Sequence, residues 1–538
     1  MSYIVRQRIK GRIYLYEATS YWDKDKKQNR QKRKYLGPED TINNSNLDHV
    51  SDLNNKIRVK NHQLSNKIDS RNLSSFAYGD IKLLIEMCKR LGIIDLLKSH
   101  FPDHYQDILL IACYSICKSS PFYLLHYWQI EHNIFNENNK KLYSSTISNL
   151  CNEIGKMEVD HHNFTNDWVN KYVKPESGIY YDITSISSYC NNIDFVEWGY
   201  NRDKENLSQI NLGLTCCANS KLPLFYKIYP GSIVDVSTLN NFIKYLKSIN
   251  LKDIKLIMDK GFFSKDNILN MVNNNISFIQ PLSFALKDVK RLARKYKRKL
   301  LSNSTIFKHN EEILHHVQDK IKFADKEFNA HIFFNESAYN DYKNNLFSYL
   351  LDIEDNIIKE RKFSSIKEYK EFKKNNISKK YQSYFRLDRT NMNIVKNDRA
   401  ISTHLTKIGF FVIAENINDL SKESILSYYK DRDKIEKLFD ISKNEIDQNR
   451  LRVHNNYTNN GKLFIKYISL IIHTKISNIM KKNNLFKRYS VRELLTEMKK
   501  IKINYYNKIS YISEISKKQK EIFKKFDIDI SELKEIRF

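Results

Sequence analysis

The chain has 538 residues and carries 90 Lys and Arg against 62 Asp and Glu, a formal net charge of +28. That length implies about three or four domains with room for buried cores, and the charge points to a polyanionic partner, first of all nucleic acid, although a Lys-, Asn- and Ile-rich composition of the kind an AT-rich genome encodes accounts for part of the lysine excess. No apolar run reaches the roughly 18 residues of a membrane span (the best, LFIKYISLII, is broken by Lys466), MSYIVRQRIKG has no apolar leader segment, and seven cysteines without a CxxC pair predict free thiols in a reducing cytoplasm rather than a zinc site or a disulfide framework.

Residues 3–38 alternate: YIVRQRI, a turn at Lys10-Gly11, RIYLYEATSYW, a charged DKDKKQN turn, then RQKRKYLGP. This predicts a three-stranded antiparallel ribbon over 1–38. Lys24, Lys26, Lys27, Arg30, Lys32, Arg33 and Lys34 crowd its last turn and strand; they suit phosphate contact and equally a charged edge that resists aggregation. The polar, Asn- and Ser-rich stretch 39–75 reads as a linker. From Gly79 the period turns helical, in IKLLIEMCKRLGIIDLLKSHF and DILLIACYSICKSS, so 76–170 is expected to be a helical, DNA-binding or accessory region. Its apolar stripes are core rather than contact surface.

Over 171–282, GIYYDIT, INLGLTC and LPLFYKIY read as strands, followed by helix, strand, helix and strand in VSTLNNFIKYLKSI, IKLIMD, SKDNILNMVNNN and SFIQPL. Three successive strands and then alternation predict an α/β fold, a mixed sheet with helices against it. Residues 283–405 interrupt it with two basic, aromatic-bearing stretches, KDVKRLARKYKRK and KERKFSSIKEYKEFKKNNISKKYQSYF; the strand GFFVIAEN then returns. An insertion domain over 283–405 between two parts of one core, 171–282 and 406–480, is the simplest account, with helices over 481–538. No internal repeats are present.

After GFFVIAEN comes SILSYYKDRDKIEKLFDISKNEID, with Tyr429, Arg432, Glu436 and Lys443 in the spacing Y-x2-R-x3-E-x6-K. At about 100° per residue the four fall within roughly 60° on one helix, whose start Ser424 can cap. One face then offers a carboxylate, two cations and a phenol, able to hold a metal ion and grip phosphates; alone, it reads as a solvated charged face. Two distant acids change this. Asp182 follows the strand Ile179-Tyr180-Tyr181, and Asp259 follows Ile254–Met258 and precedes Lys260-Gly261. Strand ends are where α/β folds place ligand groups, while either Asp by itself reads as a turn starter. Three hard oxygen ligands without His or Cys suit Mg2+ or Mn2+, and two such ions promote in-line phosphoryl displacement.

Other residues carry weaker signals. Asp235 suits a helix N-cap better than a metal ligand. Asp203 and Glu205 read as turn residues. His161-His162 and His315-His316 read as satisfied histidines, and Lys260 suits a scissile phosphate or plain solvent equally. Lys287, Lys290, Arg291, Arg294, Lys295, Lys297, Arg298 and Lys299 have helical spacing with one opposing acid, Asp288, which favours contact with a DNA backbone over a solvated helix.

Taken together, YLYEATSYWD, RQKRKYLG, YYDITS, GYNRDKENLSQINLGL, LPLFYKIYPGSIVDVSTL, IMDKGFFS and the Y-R-E-K helix resemble the DDE transposases of bacterial insertion sequences, in the IS-four-like group defined by that signature. The resemblance runs from the N-terminus to about residue 475. It implies an RNase H-like mixed-sheet core split by an insertion, and a catalytic triad at Asp182, Asp259 and Glu436 holding two Mg2+ ions, with Asp182 shared between them. It implies that Tyr429, Arg432 and Lys443 touch DNA near the cut end. The partners implied are double-stranded DNA, as terminal inverted repeats and target, and a second copy in a homodimeric synaptic complex, acting at the nucleoid. Some relatives stack a flipped base on a tryptophan of the insertion; this chain has no Trp after Trp198, so either a Tyr or Phe such as Tyr384 or Phe385 stacks instead or no base is flipped, and its insertion reads as more helical and basic than a β-rich one. An RNase H-like structure-specific nuclease and a non-catalytic DNA-binding remnant are the alternatives.

Overall fold

A computed structural model describes residues 2–9, 12–23, 28–38, 73–132, 141–190, 192–323, 325–359, 361–417, 419–506 and 509–533. The expected turns at Lys10-Gly11 and Lys24–Lys27 and most of the expected linker lie outside these. The linker's last residues are instead extended, opening the strand β4 (Leu73–Ala77) after β1 (Ser2–Ile9), β2 (Arg12–Asp23) and β3 (Gln28–Pro38). Two compact units result, 1–74 with 504–511 and 75–503 with 512–538.

In the first unit β2 is the middle strand, antiparallel to β1 and β3. A bulge at Leu15/Tyr16 shifts its register with β3. Tyr35 packs its ring 6.1 and 5.4 Å from those of Tyr14 and Tyr16, a cross-strand cluster that fixes the pairing.

The second unit opens with helices α1 to α6 (Gly79–Leu91, Ile93–His100, Tyr105–Lys118, Leu125–Glu131, Ser144–Lys156, Glu158–Tyr172). Strands β5 (Gly178–Ser187), β6 (Gln209–Cys217) and β7 (Pro223–Pro230) follow, then α7 (Asp235–Ser248), β8 (Lys255–Met258), α8 (Lys265–Asn273) and β9 (Ser277–Leu282). Next come α9 (Lys287–Leu300), β10 (Ile306–His309), β11 (Glu312–Phe323), β12 (Lys326–Phe334), α10 (Glu336–Ile353), α11 (Ile366–Asn376), β13 (Phe385–Asp388), β14 (Asn393–Lys396), α12 (Asp398–Leu405) and β15 (Phe410–Glu415). Helices α13 (Lys422–Asp431), α14 (Asp433–Asp440), α15 (Asn456–Lys482), α16 (Val491–Met498) and α17 (Lys517–Lys525) follow; the expected helical region 481–538 is not helical throughout, because strands β16 (Lys502–Tyr506) and β17 (Ile509–Ile512) come between α16 and α17 in the chain.

Nine strands form one mixed sheet in the order β10-β11-β12-β15-β9-β8-β5-β6-β7. β5, β8 and β9 run parallel; the remaining neighbours are antiparallel. β5 and β6 are buried on both faces, so they read as apolar runs rather than alternating ones. On one face Ile179, Tyr181, Leu256 and Met258 pack against Leu239 and Phe242 of α7, Ile268 of α8 and Leu292 of α9. On the other, Tyr180, Ile257, Ile279 and Ile413 pack against Ile425 and Leu426 of α13, Ile435 and Leu438 of α14, and Leu470 of α15.

The stretch 283–405 is of two kinds. Its strands β10, β11 and β12 extend the main sheet through β12 beside β15. Its later part encloses a core of its own, with Leu346, Leu350, Phe363, Phe372, Tyr384, Phe385 and Ile401. The early helices are tied to α15: a Cβ on Gly155 of α5 or on Gly461 of α15 would run into the other helix's backbone, so the two axes approach more closely than any larger residue allows. Among the described residues no single helix is long and apolar enough to cross a membrane. Lys466 is buried, donates to the Ile446 carbonyl, and is pushed down to about 7 by burial.

Candidate active site

Asp182 and Asp259 meet through strand register. In the parallel pair β5/β8, Tyr181 stands opposite Met258, which makes Asp182 and Asp259 the next pair along. Side chains alternate across a sheet. Because Tyr181 and Met258 point to the α7 face, both acids turn to the face that α13 and α14 cover. β8 ends at Met258, and Asp259 begins a single 3-10 turn over Lys260–Phe262. Gln280 of β9 holds that turn by donating to the Asp259 carbonyl at 2.8 Å.

Glu436 arrives on the helical segment above. The sequence predicts one helix from Ser424 onward; the structure divides it. Ser421, not Ser424, is the N-cap, its hydroxyl accepting from the Ser424 amide at 3.2 Å. The helix breaks at Arg432, whose carbonyl accepts a short-range bond from the Ile435 amide at 2.9 Å. A π-helical turn over Ile441–Glu445 then carries Lys443. The four signature residues therefore do not share one regular helical face.

Arg432 joins the acids. Its Nη1 donates to Asp259 Oδ1 and its Nη2 to Glu436 Oε1, the latter at 3.1 Å. Burial works against the guanidinium charge, yet Asp259, Glu436 and Asp182 outweigh it and hold Arg432 above its ordinary value. Asp182 accepts the Ile183 amide at 2.8 Å. Burial, and then neighbouring Asp259, push its carboxyl up to about 7, against the pull of Arg202 and Arg432. Tyr429 stacks on Phe411 with ring centres 5.3 Å apart, and burial raises its phenol.

Sequence reasoning missed the connection between β5 and β6. Asp203 is not a plain turn residue: it accepts from Lys443 Nζ at 2.8 and 2.6 Å. Glu205 takes both nitrogens of Arg450, at 2.7 and 2.6 Å, and the Ser187 hydroxyl at 2.5 Å. Asp235 is not the N-cap of α7, a place taken by Val234; its carboxylate pairs with Arg202, which also donates to Ser185 and Asn211. The signal was the dense alternation of charges in NRDKEN between two apolar strands.

Of the remaining expectations, α9 is a helix with Val289, Leu292 and Ala293 inward. Arg291, Arg294, Lys295 and Arg298 are exposed and Lys290 partly so, with Lys295 paired to Asp319 at 2.9 Å. Lys260 is exposed. The histidines are engaged: His161 with the Ile154 carbonyl, His315 with Thr305, His316 with His331. Tyr384 and Phe385 are 6% and 2% exposed; they hold the core of 336–405 together and have no free ring face for a base.

Among the described residues no group of three or more His, Cys, Asp or Glu is arranged to hold a metal ion as it stands. The expected cage is not closed, because Arg432 stands between two of its members. The donor set nonetheless fits hard divalent ions: carboxylate oxygens only, one of them held protonatable by burial and then by neighbouring Asp259, and a cation already drawn in among them.

Residues 174–472, more than half of the chain and all three acids, match the family described as Transposase DDE domain. No curated protein matches the chain. Among solved structures, the piggyBac transposase in a synaptic complex with hairpin DNA is similar, with 9% identity and a TM-score of 0.33 over 78% of this chain and 70% of that one.

Proposed function

The chain belongs to the family of transposases that carry the DDE domain, and from that premise we propose that Asp182, Asp259 and Glu436 carry its DNA-cutting and joining chemistry at the ends of an insertion sequence. What supports this reading is the meeting of three acids from distant parts of the chain, two by strand register and two through one guanidinium.

We read the strand order β7-β6-β5-β8-β9, with β6 antiparallel to the other four, as an RNase H-like core. Asp182 lies on its central strand, Asp259 just beyond the next, and Glu436 on a helix covering the sheet. In this reading the core runs over 171–282 and 406–480 and is interrupted by 283–405, with the ribbon 1–38 and helices 76–170 as DNA-binding or accessory parts. The Y-R-E-K residues support reading it as a member of the IS-four-like group.

Asp182, Asp259 and Glu436 would hold two Mg2+ ions, or Mn2+. Such ions, when bound, activate the attacking oxygen and stabilise the leaving one. The protein's own groups set up the rest. In hydrolysis a water oxygen bonds to phosphorus, the P–O3′ bond breaks, and the element end keeps a 3′-hydroxyl. In joining, that hydroxyl bonds to a target phosphorus and the target's own P–O3′ bond breaks. Arg432, released from Asp259, and Lys443, released from Asp203, can each turn a cation to a DNA phosphate; Tyr429, stacked on Phe411 and near Arg432, would add a hydroxyl to that contact. The exposed cations of α9 suit the flanking duplex. Two ends call for two active copies, a homodimer working at the nucleoid.

The test is strand transfer. Pre-cut ends incubated with the wild-type chain, target DNA and Mg2+ should yield joined products, and none in EDTA. Nicked DNA without joined product would mark a nuclease instead.

A further inference from the structure

Helix α15 is buried and apolar along most of its length, yet one stripe of it is polar. Lys462, Lys466 and His473 fall within roughly 40° of one another at about 100° per residue. Lys466 and His473 are 1% and 2% exposed, and burial pushes Lys462 down to about 8. Buried cations cost more than apolar side chains of similar size unless each finds a partner.

All three find partners on one stretch of chain. Glu445, the last residue of the π-helical turn, lies 3.2 Å from His473 Nε2. An ionised carboxylate only accepts, so Nε2 carries the proton and Nδ1 takes the Ser477 hydroxyl at 3.3 Å. Lys466 donates to the Ile446 carbonyl and Lys462 to the Leu451 carbonyl. The Phe122 ring stands 4.6 and 5.7 Å from the two ammonium nitrogens. Residues 446–452 are irregular, so their carbonyls need donors from outside the stretch. Asp447 and Arg452 are left-handed there, with φ of 58° and 48°, a backbone state that the surroundings must hold. Their side chains pair at 2.8 and 3.1 Å.

This grip is continuous with the acids. The Gln448 amide donates to the Ser442 carbonyl at 3.0 Å, and the Ser442 hydroxyl to the Gln448 carboxamide at 2.5 Å. The stretch is thereby folded back on the π-helical turn, which continues α14 and so the helix of Glu436. On its other side the Leu451 amide donates to the Ser187 carbonyl at 3.2 Å, at the end of the strand that carries Asp182. Helix α15 is itself seated against α5 through Gly461. The segment bearing Glu436 is thus tied at Arg432 to Asp259 and beyond Ile441 to α15.

We propose that Lys466 and His473 are positioning residues for Glu436: they hold the π-helical turn and the stretch after it, and so set where the Glu436 carboxylate stands relative to Asp182 and Asp259. The proposal rests on the reading of those acids as the reactive site and adds the device that aligns one of them.

The experiment compares K466M and H473L, which keep bulk and lose the donor, with H473Q, whose amide can still donate to Glu445. Full-length chains are read by amide hydrogen exchange without DNA or metal, and by the rate of nicking at saturating end-containing DNA with Mg2+ beside the affinity for that DNA. K466M and H473L should exchange about tenfold faster over 436–452, with β5, β8 and β9 unchanged. They should nick at least about tenfold more slowly at saturation, while DNA affinity stays within about threefold. H473Q should stay near the wild type in every reading. Unchanged exchange over 436–452, undiminished nicking, or an H473Q as impaired as H473L would overturn the proposal. So would exchange that rises throughout the sheet, or an affinity loss as large as the rate loss, since the stripe would then only support the fold. A wild type that never nicks would sink the catalytic reading instead, and faster exchange over 436–452 in K466M would still uphold the grip on the Glu436 segment.

Discussion

Arg432 donates a hydrogen bond to a carboxylate oxygen of Asp259, 173 residues earlier in the chain, and so places its guanidinium where the acids of the site need positive charge. Its other terminal nitrogen reaches Glu436. The cation that we propose meets a DNA phosphate is thus held by the carboxylates in the free protein.

Replacing Arg432 with alanine should expose this substitution of one cation for another. In EDTA, R432A should be less stable than wild type by about 1 kcal/mol, a modest loss because both ion pairs are partly exposed and screened. Added Mg2+ should then raise its melting temperature more than that of the wild type. An equal or smaller rise, read by differential scanning calorimetry, would show that Arg432 does not compete for the carboxylates.

Asp182 predicts a pH dependence with a definite sign. Its folded-state value near 7 lies above the ordinary 3.8, so between those limits the folded protein keeps a proton that the unfolded chain gives up. Stability from this group is therefore present at low pH and lost as pH rises from about 4 to about 7. Without divalent ions, D182N should match the wild type near pH 4 and exceed it at pH 8, by a few kcal/mol at most. Urea unfolding across that range checks it; parallel curves would remove the claim that Asp182 is strained by burial and by Asp259.

Lys443 and Asp203 form a pair whose two halves predict opposite outcomes. K443A should weaken DNA binding and lower the salt slope by about one phosphate contact. D203A, which frees the ammonium, should bind DNA more tightly and with a steeper salt slope. If both variants weaken binding alike, the pair holds the fold and does not gate DNA contact.

The outer face of α9 predicts contact without sequence preference. A triple variant, R291A/R294A/R298A, should lose affinity for every duplex alike, with the salt slope reduced by about 3. A loss confined to one sequence in filter-binding titrations would indicate base reading instead, and no loss would leave α9 a solvated helix.

Much of the sheet was legible because its signals are local. Apolar runs leading up to Asp182 and Asp259 and the alternation after β7 need only neighbouring residues to be read, although Asp182 is not at a strand end as expected: β5 continues past it to Ser187, whereas β8 does stop before Asp259. The hairpin β11/β12 was equally readable, in HHVQDKIKF and KEFNAHIFF, but the basic runs on either side drew the whole of 283–405 into one interruption. What escaped depends on partners distant in sequence. Nothing in DRDKIEK breaks a helix by propensity, yet the chain breaks at Arg432, whose side chain is engaged with Asp259. Asp235 has a good N-cap's neighbours but meets Arg202, 33 residues away. Tyr384 and Phe385 lie in a basic, polar stretch and are buried all the same, because α10, α11 and α12 close over them.

The most direct measurement is nicking of end-containing DNA with Mg2+ by D182N, D259N and E436Q, read alongside binding of the same DNA. The account predicts that each variant binds within a few-fold of the wild type and that none nicks. Undiminished cleavage by any one of the three would contradict it.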